Sequence, residues 1–243
     1  MFRMSGCERP WSSARPRHPA LNDHGWLTLT PSDFRQAVFE RLTIRKLDAG
    51  EAIYRAGDRE GGLWAIIEGG VQFEIPGPQL APSLSIVAVP GFWFGEAPLI
   101  SKAARQVNAY AAHASIFATI SLADCRAILD EDPARWQWIA LLANINRDLA
   151  MGLAADLLLH EPRQRVVAAL LRLSGWRTGR HLTPCPGPVH LSQHQLGQIA
   201  NLSRTVVSAI LQDLERRGLI AVGYRSLEVQ DGDGLTALLE EHH

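Results

Sequence analysis

Cysteine is scarce in this chain of 243 residues, which contains only three. Cys7, Cys125 and Cys185 stand singly, whereas zinc sites, iron–sulfur clusters and disulfide frameworks need cysteines at paired spacings. We therefore expect neither a metal site nor a disulfide, and we interpret all three residues as free structural cysteines.

Long apolar runs are also missing. No run reaches the ~18 residues that would cross a bilayer. The N-terminus carries Arg3 and Arg9 without the apolar segment of a secretory signal. We expect a cytoplasmic protein without a membrane partner. Hydrophobic residues still make up 47% of the chain, enough for real cores, and its length favours two domains.

Acidic residues are few in one part of the chain. Residues 160–226 contain nine arginines against three acidic residues, whereas residues 32–159 contain eleven Lys and Arg against fifteen Asp and Glu. The overall charge of −1 therefore hides a cationic C-terminal part. Such a patch is the electrostatic footprint that binding to nucleic acid phosphates requires.

Two short helices that meet at a tight corner are predicted over residues 191–217. Ser192 with Gln195 three residues later forms a capping box. Asn201 tolerates the left-handed conformation of a sharp helix exit, and Ser203 is a second N-cap candidate. The second helix then carries one core-facing stripe at helical spacing, formed by Val207, Ile210, Leu211 and Leu214.

The opposite face of this second helix is small, polar or cationic, and has no Glu/Lys pairs before Asp213. It consists of Arg204, Thr205, Ser208, Ala209 and Gln212. Such a face suits insertion into the DNA major groove, where bulky acids would repel phosphate. Two β runs follow, at residues 219–222 and 226–229, and predict a hairpin wing with Arg225 at its tip.

The N-terminal half has a different composition and a different pattern of predicted secondary structure. Residues 1–25 are rich in Pro, Arg, Ser and His without periodicity, which predicts a disordered tail. A short helix follows Pro31. Glycine-rich turns then separate short β runs, and this spacing indicates an antiparallel sandwich or barrel within residues 26–132. The runs are residues 51–54, 63–67, 71–75, 84–89 and 117–120.

One loop interrupts the series of short β runs and is a candidate ligand site. Gly95 and Glu96 can offer backbone N–H groups and a carboxylate, and Arg105 can meet an anionic group. The alternative is structural, since a Gly-Glu corner can simply end a strand, and Glu96 can pair with Arg105.

A long helix is predicted over residues 133–160. Its apolar residues form two stripes, so it needs two packing partners. One is its own barrel, and the other is most economically a second copy across a two-fold axis, with Gly152 allowing close approach of the two backbones. The alternative, burial in one large core, fits a helix of this length poorly. Glu161 and Pro162 then form a hinge to a C-terminal domain at residues 161–243.

The order β-barrel, long helix, hinge and winged helix resembles the Crp/Fnr superfamily of bacterial transcription regulators. The resemblance covers about residues 26–230, and its most specific part reads LSQHQLGQIANLSRTVVSAILQDLERRGLI, supported by LWAIIEGGV and FWFGE. It implies an α+β fold with an N-terminal antiparallel β-roll (a double-stranded β-helix, cyclic-nucleotide-binding-like), a dimerisation helix and a winged helix-turn-helix. It also implies a homodimer on double-stranded DNA, with pseudo-palindromic half-sites ~34 Å apart, and RNA polymerase as a further partner.

The resemblance also implies which residues read DNA. Arg204 matches the first Arg of an Arg-Glu pair that many members use, but Thr205 replaces the Glu and Ala209 replaces a second Arg. The operator should therefore differ from that of the cyclic-AMP regulators, with Thr205, Ser208 and Ala209 offering only weaker contacts. The candidates for phosphate contacts are Ser192, Ser203 and Arg225.

The resemblance leaves the effector open. Glu96 and Arg105 match the ribose and phosphate contacts of cyclic-nucleotide members, but Gln106 replaces a Ser. Ala150 and Met151 stand where those members meet the base, so a purine edge would lose its hydrogen bonds. This disfavours cyclic AMP, and no cofactor is assigned. Haem bound through His113 or His160 has little support, since a lone His is more often structural.

Three other functions are alternatives. A metal-dependent barrel enzyme would need clustered His ligands, and residues 42–122 contain His113 alone. We therefore expect no enzyme and assign no catalytic residue. The winged helix could instead bind a protein partner, or the regulator could act without an effector.

Overall fold

The computed structural model describes residues 19–59, 61–76, 83–87, 90–177 and 188–240. Its helices are α1 (Pro19–Asn22), α2 (Ser32–Phe39), α3 (Ala97–Ser101), α4 (Leu122–Glu131), α5 (Trp136–Leu157), α6 (Pro162–Leu173), α7 (Gln193–Ala200), α8 (Arg204–Arg216) and α9 (Gly232–Glu240). Its strands are β1 (Thr43–Leu47), β2 (Ala52–Tyr54), β3 (Leu63–Glu68), β4 (Val71–Ile75), β5 (Ser83–Val87), β6 (Trp93–Phe94), β7 (Asn108–Ala111), β8 (Ser115–Ile120), β9 (Ile220–Gly223) and β10 (Ser226–Val229).

The chain is already folded before residue 26, where the sequence predicted a disordered tail. Residues 1–18 of that tail lie outside the described ranges, but Pro19–Asn22 form α1, and Leu21 is fully buried. Trp26 lies edge-on to Trp93 at a centroid distance of 5.5 Å, and its Nε1 donates to the carbonyl of Trp138 at 2.7 Å. Apolar burial therefore orders this segment against the barrel and α5.

Strands β1 to β8 form the predicted antiparallel β-roll. One sheet has the order β1-β8-β3-β6 and the other β2-β7-β4-β5, each with four strands. Aromatic and aliphatic side chains fill the space between the sheets, including Phe94 and Phe117 at a centroid distance of 6.3 Å. The fold class is confirmed. Strands β1, β6 and β7 were not predicted: β6 has only two residues, β7 (NAYA) has no large aliphatic residue, and β1 (TIRKL) contains adjacent Arg and Lys.

The central helix is shorter than predicted. A 3-10 turn covers Pro133–Arg135, with Asp132 as its N-cap, and α5 runs for 22 residues to Leu157. On one side α5 buries Ile139, Leu142 and Ile145 in the core shared with the β-roll. On the other side Met151 and Leu158 are 65% and 78% exposed. The predicted stripes were Trp138, Leu142, Ile145, Leu149 and Gly152, and Ile139, Leu141, Leu153 and Leu157. Met151 and Leu158 belong to neither, so the exposed apolar side of the helix differs from the predicted one.

Gly152 has a different neighbour from the predicted one. The sequence suggested that it faces a second copy of the helix, but a Cβ at Gly152 would lie 2.4 Å from Nη1 of Arg172 in the same chain. Arg172 is buried and ion-paired with Asp156 of α5. The missing side chain makes room for a contact between α5 and α6.

The C-terminal domain is a three-helix unit with a wing. Helices α6, α7 and α8 and strands β9 and β10 surround one core, and the additional helix α9 packs on α6. An isolated bridge between Val189 and Leu227 adds to the wing. This domain lies against the β-roll of its own chain, since α7 contacts β5, and Ala112 packs on the C-terminal core.

The described ranges contain one free cysteine, Cys125, which is buried. Burial raises the pKa of its thiol to about 11. Cys7 and Cys185 lie outside these ranges. None of the described helices is both long and apolar enough to cross a membrane.

Candidate functional site

The corner between α7 and α8 has the predicted geometry. Oγ of Ser192 accepts from the backbone N–H of Gln195 at 3.2 Å, and Oε1 of Gln195 accepts from the N–H of Ser192 at 2.8 Å. Asn201 ends α7 with a φ of 52° in the left-handed region. Because both helix ends are satisfied locally, this capping box and turn set the entry angle of α8.

Helix α8 presents its expected face to solvent. Ser203 caps it by accepting from the N–H of Val206 at 3.4 Å. Its inner side is buried at Val207, Leu211 and Leu214, with Ile210 partly buried. The outer residues Arg204, Thr205, Ala209 and Gln212 are exposed, and Ser208 is half-buried.

The wing is a two-residue hairpin beside α8. Gly223 pairs with Ser226, which leaves Tyr224 and Arg225 at the tip. Arg225 has a φ of 52°, and Tyr224 is 93% exposed. A groove of about 370 Å³ between wing and helix is lined by Ser192, Arg204 and Arg225 together with His194 and Tyr224.

This groove brings three predicted residues together and leaves others on its flanks. Ser203 lines a second groove of about 470 Å³, which also includes Arg204. Thr205, Ser208 and Ala209 line neither groove and lie further round α8. His194 and Tyr224 were not predicted, since a single exposed aromatic or His carries no sequence signal of its own.

Ion pairs leave fewer unpaired arginines in the C-terminal part than the arginine count suggests. Asp156 pairs with Arg172 at 2.7 Å and Arg177 at 3.3 Å, and Asp213 pairs with Arg163 at 3.1 Å and Arg216 at 3.0 Å. Within the described ranges, Arg204, Arg217 and Arg225 are exposed cations outside any ion pair. The local charge on the helix-turn-helix is therefore carried by fewer residues than the composition indicates.

The β-roll encloses a cavity of about 580 Å³ that all three predicted effector residues, Gly95, Glu96 and Arg105, line. Gly95 has a φ of 95°, and a Cβ there would approach the carbonyl oxygen of Gly62 to 2.8 Å. Only glycine fits this turn, which places Glu96 at the start of α3.

Arg105 is the central polar group of the cavity. It is 4% exposed, and it donates from Nη1 to the carbonyl of Gly95 at 3.2 Å and from Nη2 to that of Gly62 at 3.0 Å. Its guanidinium lies 3.8 Å from the ring centre of Tyr54. Burial lowers the pKa of Arg105 and raises that of Tyr54, with the Arg105 charge partly offsetting the rise.

The alternative pairing of Glu96 with Arg105 does not occur. Within the described part of the chain, neither residue belongs to an ion pair, although the Glu96 charge favours the protonated form of Arg105. Glu96 is therefore an available acceptor at the cavity wall.

Helix α5 and the C-terminal domain complete the cavity. Ala150 lines it as predicted, whereas Met151 is exposed on another side of the helix. Many lining residues were not predicted, among them Tyr54, Asn146 and Ile199. Asn146 donates from Nδ2 to the carbonyl of Trp93 at 3.1 Å, while its buried Oδ1 has no protein partner in the described structure. Ile199 belongs to α7, and only the packing of the two domains brings it to the cavity.

The two histidines considered for haem lie elsewhere. His113 is half-buried with its ring 6.0 Å from that of His190, and His160 is exposed. Neither lines the β-roll cavity. No group of three potential metal ligands (His, Cys, Asp or Glu) occurs among the described residues.

Comparison with known proteins agrees with this architecture. A family model described as a cyclic nucleotide-binding domain matches residues 44–132, and one described as a Crp-like helix-turn-helix domain matches residues 164–238. The chain is 29% identical to the cyclic AMP receptor protein of Thermus thermophilus over 215 residues, covering 86% of this chain and 90% of that protein. It is 26% identical to the CRP-like cAMP-activated global transcriptional regulator of Mycobacterium tuberculosis over 211 residues, covering 82% and 89%.

A solved structure shows the same likeness. The transcriptional regulator TTHB099 of the CRP family, also from Thermus thermophilus, superposes with a TM-score of 0.59 at 26% identity, over 81% of this chain and 97% of that one. These relatives are regulators and belong to a non-enzyme family. With a cyclic-nucleotide-binding-type β-roll followed by a capped, outward-facing helix-turn-helix, the chain belongs to the Crp/Fnr superfamily of DNA-binding transcriptional regulators.

Proposed function

We propose that this regulator acts as a cytoplasmic homodimer on a pseudo-palindromic operator, with α8 of each subunit in a major groove. The observation that carries the proposal is the outward face of α8, which is exposed and free of acidic side chains from Arg204 to Gln212. A helix of this kind can approach base edges without repelling phosphate. RNA polymerase is the partner through which such a regulator would act.

Specific residues take distinct parts in the proposed complex. Arg204, at the first turn of α8, reaches a guanine edge, while Thr205, Ser208 and Ala209 make hydrogen-bond and methyl contacts. Ser192, Ser203 and Arg225 contact phosphates on either side of the helix. The groove shared by Ser192, Arg204 and Arg225 supports this division, because it joins the helix to the wing.

Dimerisation through α5 is supported by the exposed apolar side chains of that helix. Met151 on α5 and Leu158, the C-cap residue that follows it, lie seven residues apart on one side, and both are largely exposed in the single chain. A soluble helix rarely leaves such a stripe uncovered. Pairing of two α5 helices about a two-fold axis would cover it and would space two α8 helices for adjacent half-sites.

The β-roll cavity is the proposed effector site. A small molecule held by Gly95, Glu96 and Arg105 would also touch α5 and Ile199 of the DNA-binding domain, all of which line the cavity. It would shift the domain arrangement to the extent that it binds one arrangement more tightly than another.

Selection from a random pool of double-stranded DNA by the purified protein tests the operator proposal. We expect an enriched two-fold symmetric sequence, with binding that weakens steeply as salt rises because phosphate contacts release counterions. An enriched site without symmetry would contradict the dimer. Binding without any enrichment, or none at all, would instead indicate that the winged helix serves a protein partner.

A further inference from the structure

The β-roll cavity has two chemically different ends. Its polar end is formed by Glu96 and Arg105 with Tyr54, and the opposite wall is aliphatic. That wall comes from α5 and α7; its large aliphatic residues are Leu149, Leu153, Leu157 and Ile199, and it also contains Ala150, Ala154 and the amide side chain of Asn146. Any ligand that fills the cavity must match both ends.

The polar end holds a buried cation, Arg105, that forms no ion pair among the described residues, although the charges of Asp58 and Glu96 favour its protonated form. Arg105 is 4% exposed, and within the described ranges it contacts only neutral oxygens and the Tyr54 ring. Its Nε is buried with no hydrogen-bond partner in the described structure. Buried charges in proteins are normally paired, and no carboxylate of the described residues lies within ion-pair distance of Arg105, so an anionic group of a ligand would provide that direct contact.

Glu96 limits what that negative charge can be. It lies at the same end of the cavity and forms no ion pair among the described residues. A ligand with several negative charges would be repelled by this carboxylate. A single anionic group next to a hydroxyl would satisfy Arg105 and donate to Glu96.

The aliphatic wall determines the polarity of the part of the ligand that packs against it. Leu153 and Ile199 offer no hydrogen bond to a polar ring edge placed against them, which would lose its bonds to water. On this wall the lining side chain that could accept a hydrogen bond is Asn146, seven residues before Leu153 on α5. An apolar body placed there would be removed from water, and it would also cover Leu157, which is 44% exposed. Because Ile199 belongs to the DNA-binding domain, the same apolar body would join the two domains.

We infer that the effector is a singly charged, hydroxylated amphipathic acid whose carboxylate binds Arg105, whose hydroxyl binds Glu96, and whose apolar body packs on Leu153 and Ile199. The inference rests on the proposed role of the cavity as effector site. It assigns Ile199 as the residue through which the ligand contacts the DNA-binding domain directly.

Titration calorimetry on the full-length protein tests the ligand class with four probes used below their micelle concentrations. We expect 3-hydroxydodecanoate to bind most tightly, dodecanoate about 5-fold more weakly through loss of one hydrogen bond, and the methyl ester of 3-hydroxydodecanoate at least 10-fold more weakly through loss of the charge. Cyclic AMP should bind most weakly. Tightest binding by cyclic AMP, equal binding by the ester, or binding by none of the four would overturn the inference.

Variants locate the bound probe. Leu153→Ala should weaken 3-hydroxydodecanoate binding by at least 5-fold, and Ile199→Val by about 3-fold, because each removes apolar contact. Leu29→Ala, at an exposed apolar residue outside the cavity, should leave the affinity unchanged. An Ile199→Val affinity equal to wild type would show that the ligand does not reach the DNA-binding domain.

Arg105→Gln should abolish the preference for the acid over its ester. If this variant fails to fold, because Arg105 also ties Gly62 to Gly95, the probe series on the wild-type protein still decides the ligand class. Operator selection is measured separately. Selection without probe binding would overturn only this inference, whereas probe binding without selection would overturn the proposed operator function.

Discussion

Asp156 of α5 and Arg172 of α6 form a buried ion pair, with Nε of Arg172 donating to Oδ2 of Asp156 at 2.7 Å. Both side chains are under one-tenth exposed, and Nη1 of Arg172 also donates to the carbonyl of Arg177 at 3.2 Å. The pair joins the central helix to the first helix of the DNA-binding domain. A change in the relative position of α5 and the DNA-binding domain would therefore alter the distance between these two residues.

Asp156→Asn should lower the free energy of unfolding by about 3–5 kcal/mol, because it leaves the buried charge of Arg172 without its partner. Chemical denaturation followed by circular dichroism measures this change. Asp148→Asn is the matched control, since Asp148 pairs with Arg147 at the surface and should contribute at most about 1 kcal/mol. Equal effects of the two variants would contradict the buried role of Asp156.

Gly152→Ala should destabilise the protein although alanine favours a helix over glycine by about 1 kcal/mol. The added methyl would lie 2.4 Å from Nη1 of Arg172 and force the guanidinium away from Asp156. Thermal unfolding checks the sign of the effect. A rise in the melting temperature would show that Arg172 moves aside without loss.

Arg204→Ala should remove selectivity for the operator, with a cost of about 1–3 kcal/mol at one base pair in each half-site. Arg225→Ala should instead weaken binding to all sequences and reduce the salt slope by about 1. Gel-shift titrations against the selected and a scrambled site measure both. Arg217→Ala is the control, because Arg217 is an exposed cation at the far end of α8.

Two charges on the exposed side of α5 should dissociate the dimer. The double variant Met151→Glu and Leu158→Glu places like charges where apolar side chains would meet. We expect the dimer dissociation constant to rise at least 10-fold, as measured by sedimentation, together with a loss of operator affinity. Ile100→Glu on α3, also at an exposed apolar residue, should leave the dimer intact. A dimer that survives the double variant would place the interface elsewhere.

Acid should weaken the contact between the two domains at His113. Burial lowers the pKa of His113 below its usual 6.5, and the charges of His190 and Arg225 lower it further. The unfolded chain therefore binds more protons than the folded one, so the contribution of His113 is complete above about pH 6.5 and is lost as the pH falls toward its folded pKa. Unfolding free energies between about pH 5 and 8 measure this.

His113→Gln should flatten that pH dependence, whereas His160→Gln, at an exposed residue, should not change it. A pH profile that is identical in the wild type and in His113→Gln would show that other groups control the response.

The helix-turn-helix could be predicted from the sequence because its determinants are local. The Ser192–Gln195 capping box, the left-handed Asn201 and the Ser203 cap involve residues at most three positions apart. The stripe of Val207, Leu211 and Leu214 needs only the helical period. The β-roll class followed in the same way from repeated turns, while three of its strands, β1, β6 and β7, did not.

Tertiary contacts decided what these local signals leave open. Nothing near Asp156 or Arg172 in sequence indicates that they meet, and the arginine count gave no sign that four of the arginines pair with two carboxylates. Residues 19–22 were predicted to be disordered, because the sequence does not show that Leu21 is buried against the barrel.

By itself the sequence determined the order of β-roll, long helix and winged helix-turn-helix and the face of α8 that points outward, because caps, turns and periodicity act over a few residues. Only the tertiary structure decided that Ile199 closes the β-roll cavity and that Gly152 receives Arg172. These contacts join residues about 20 or more positions apart, and their formation depends on the packing of whole domains rather than on local preference.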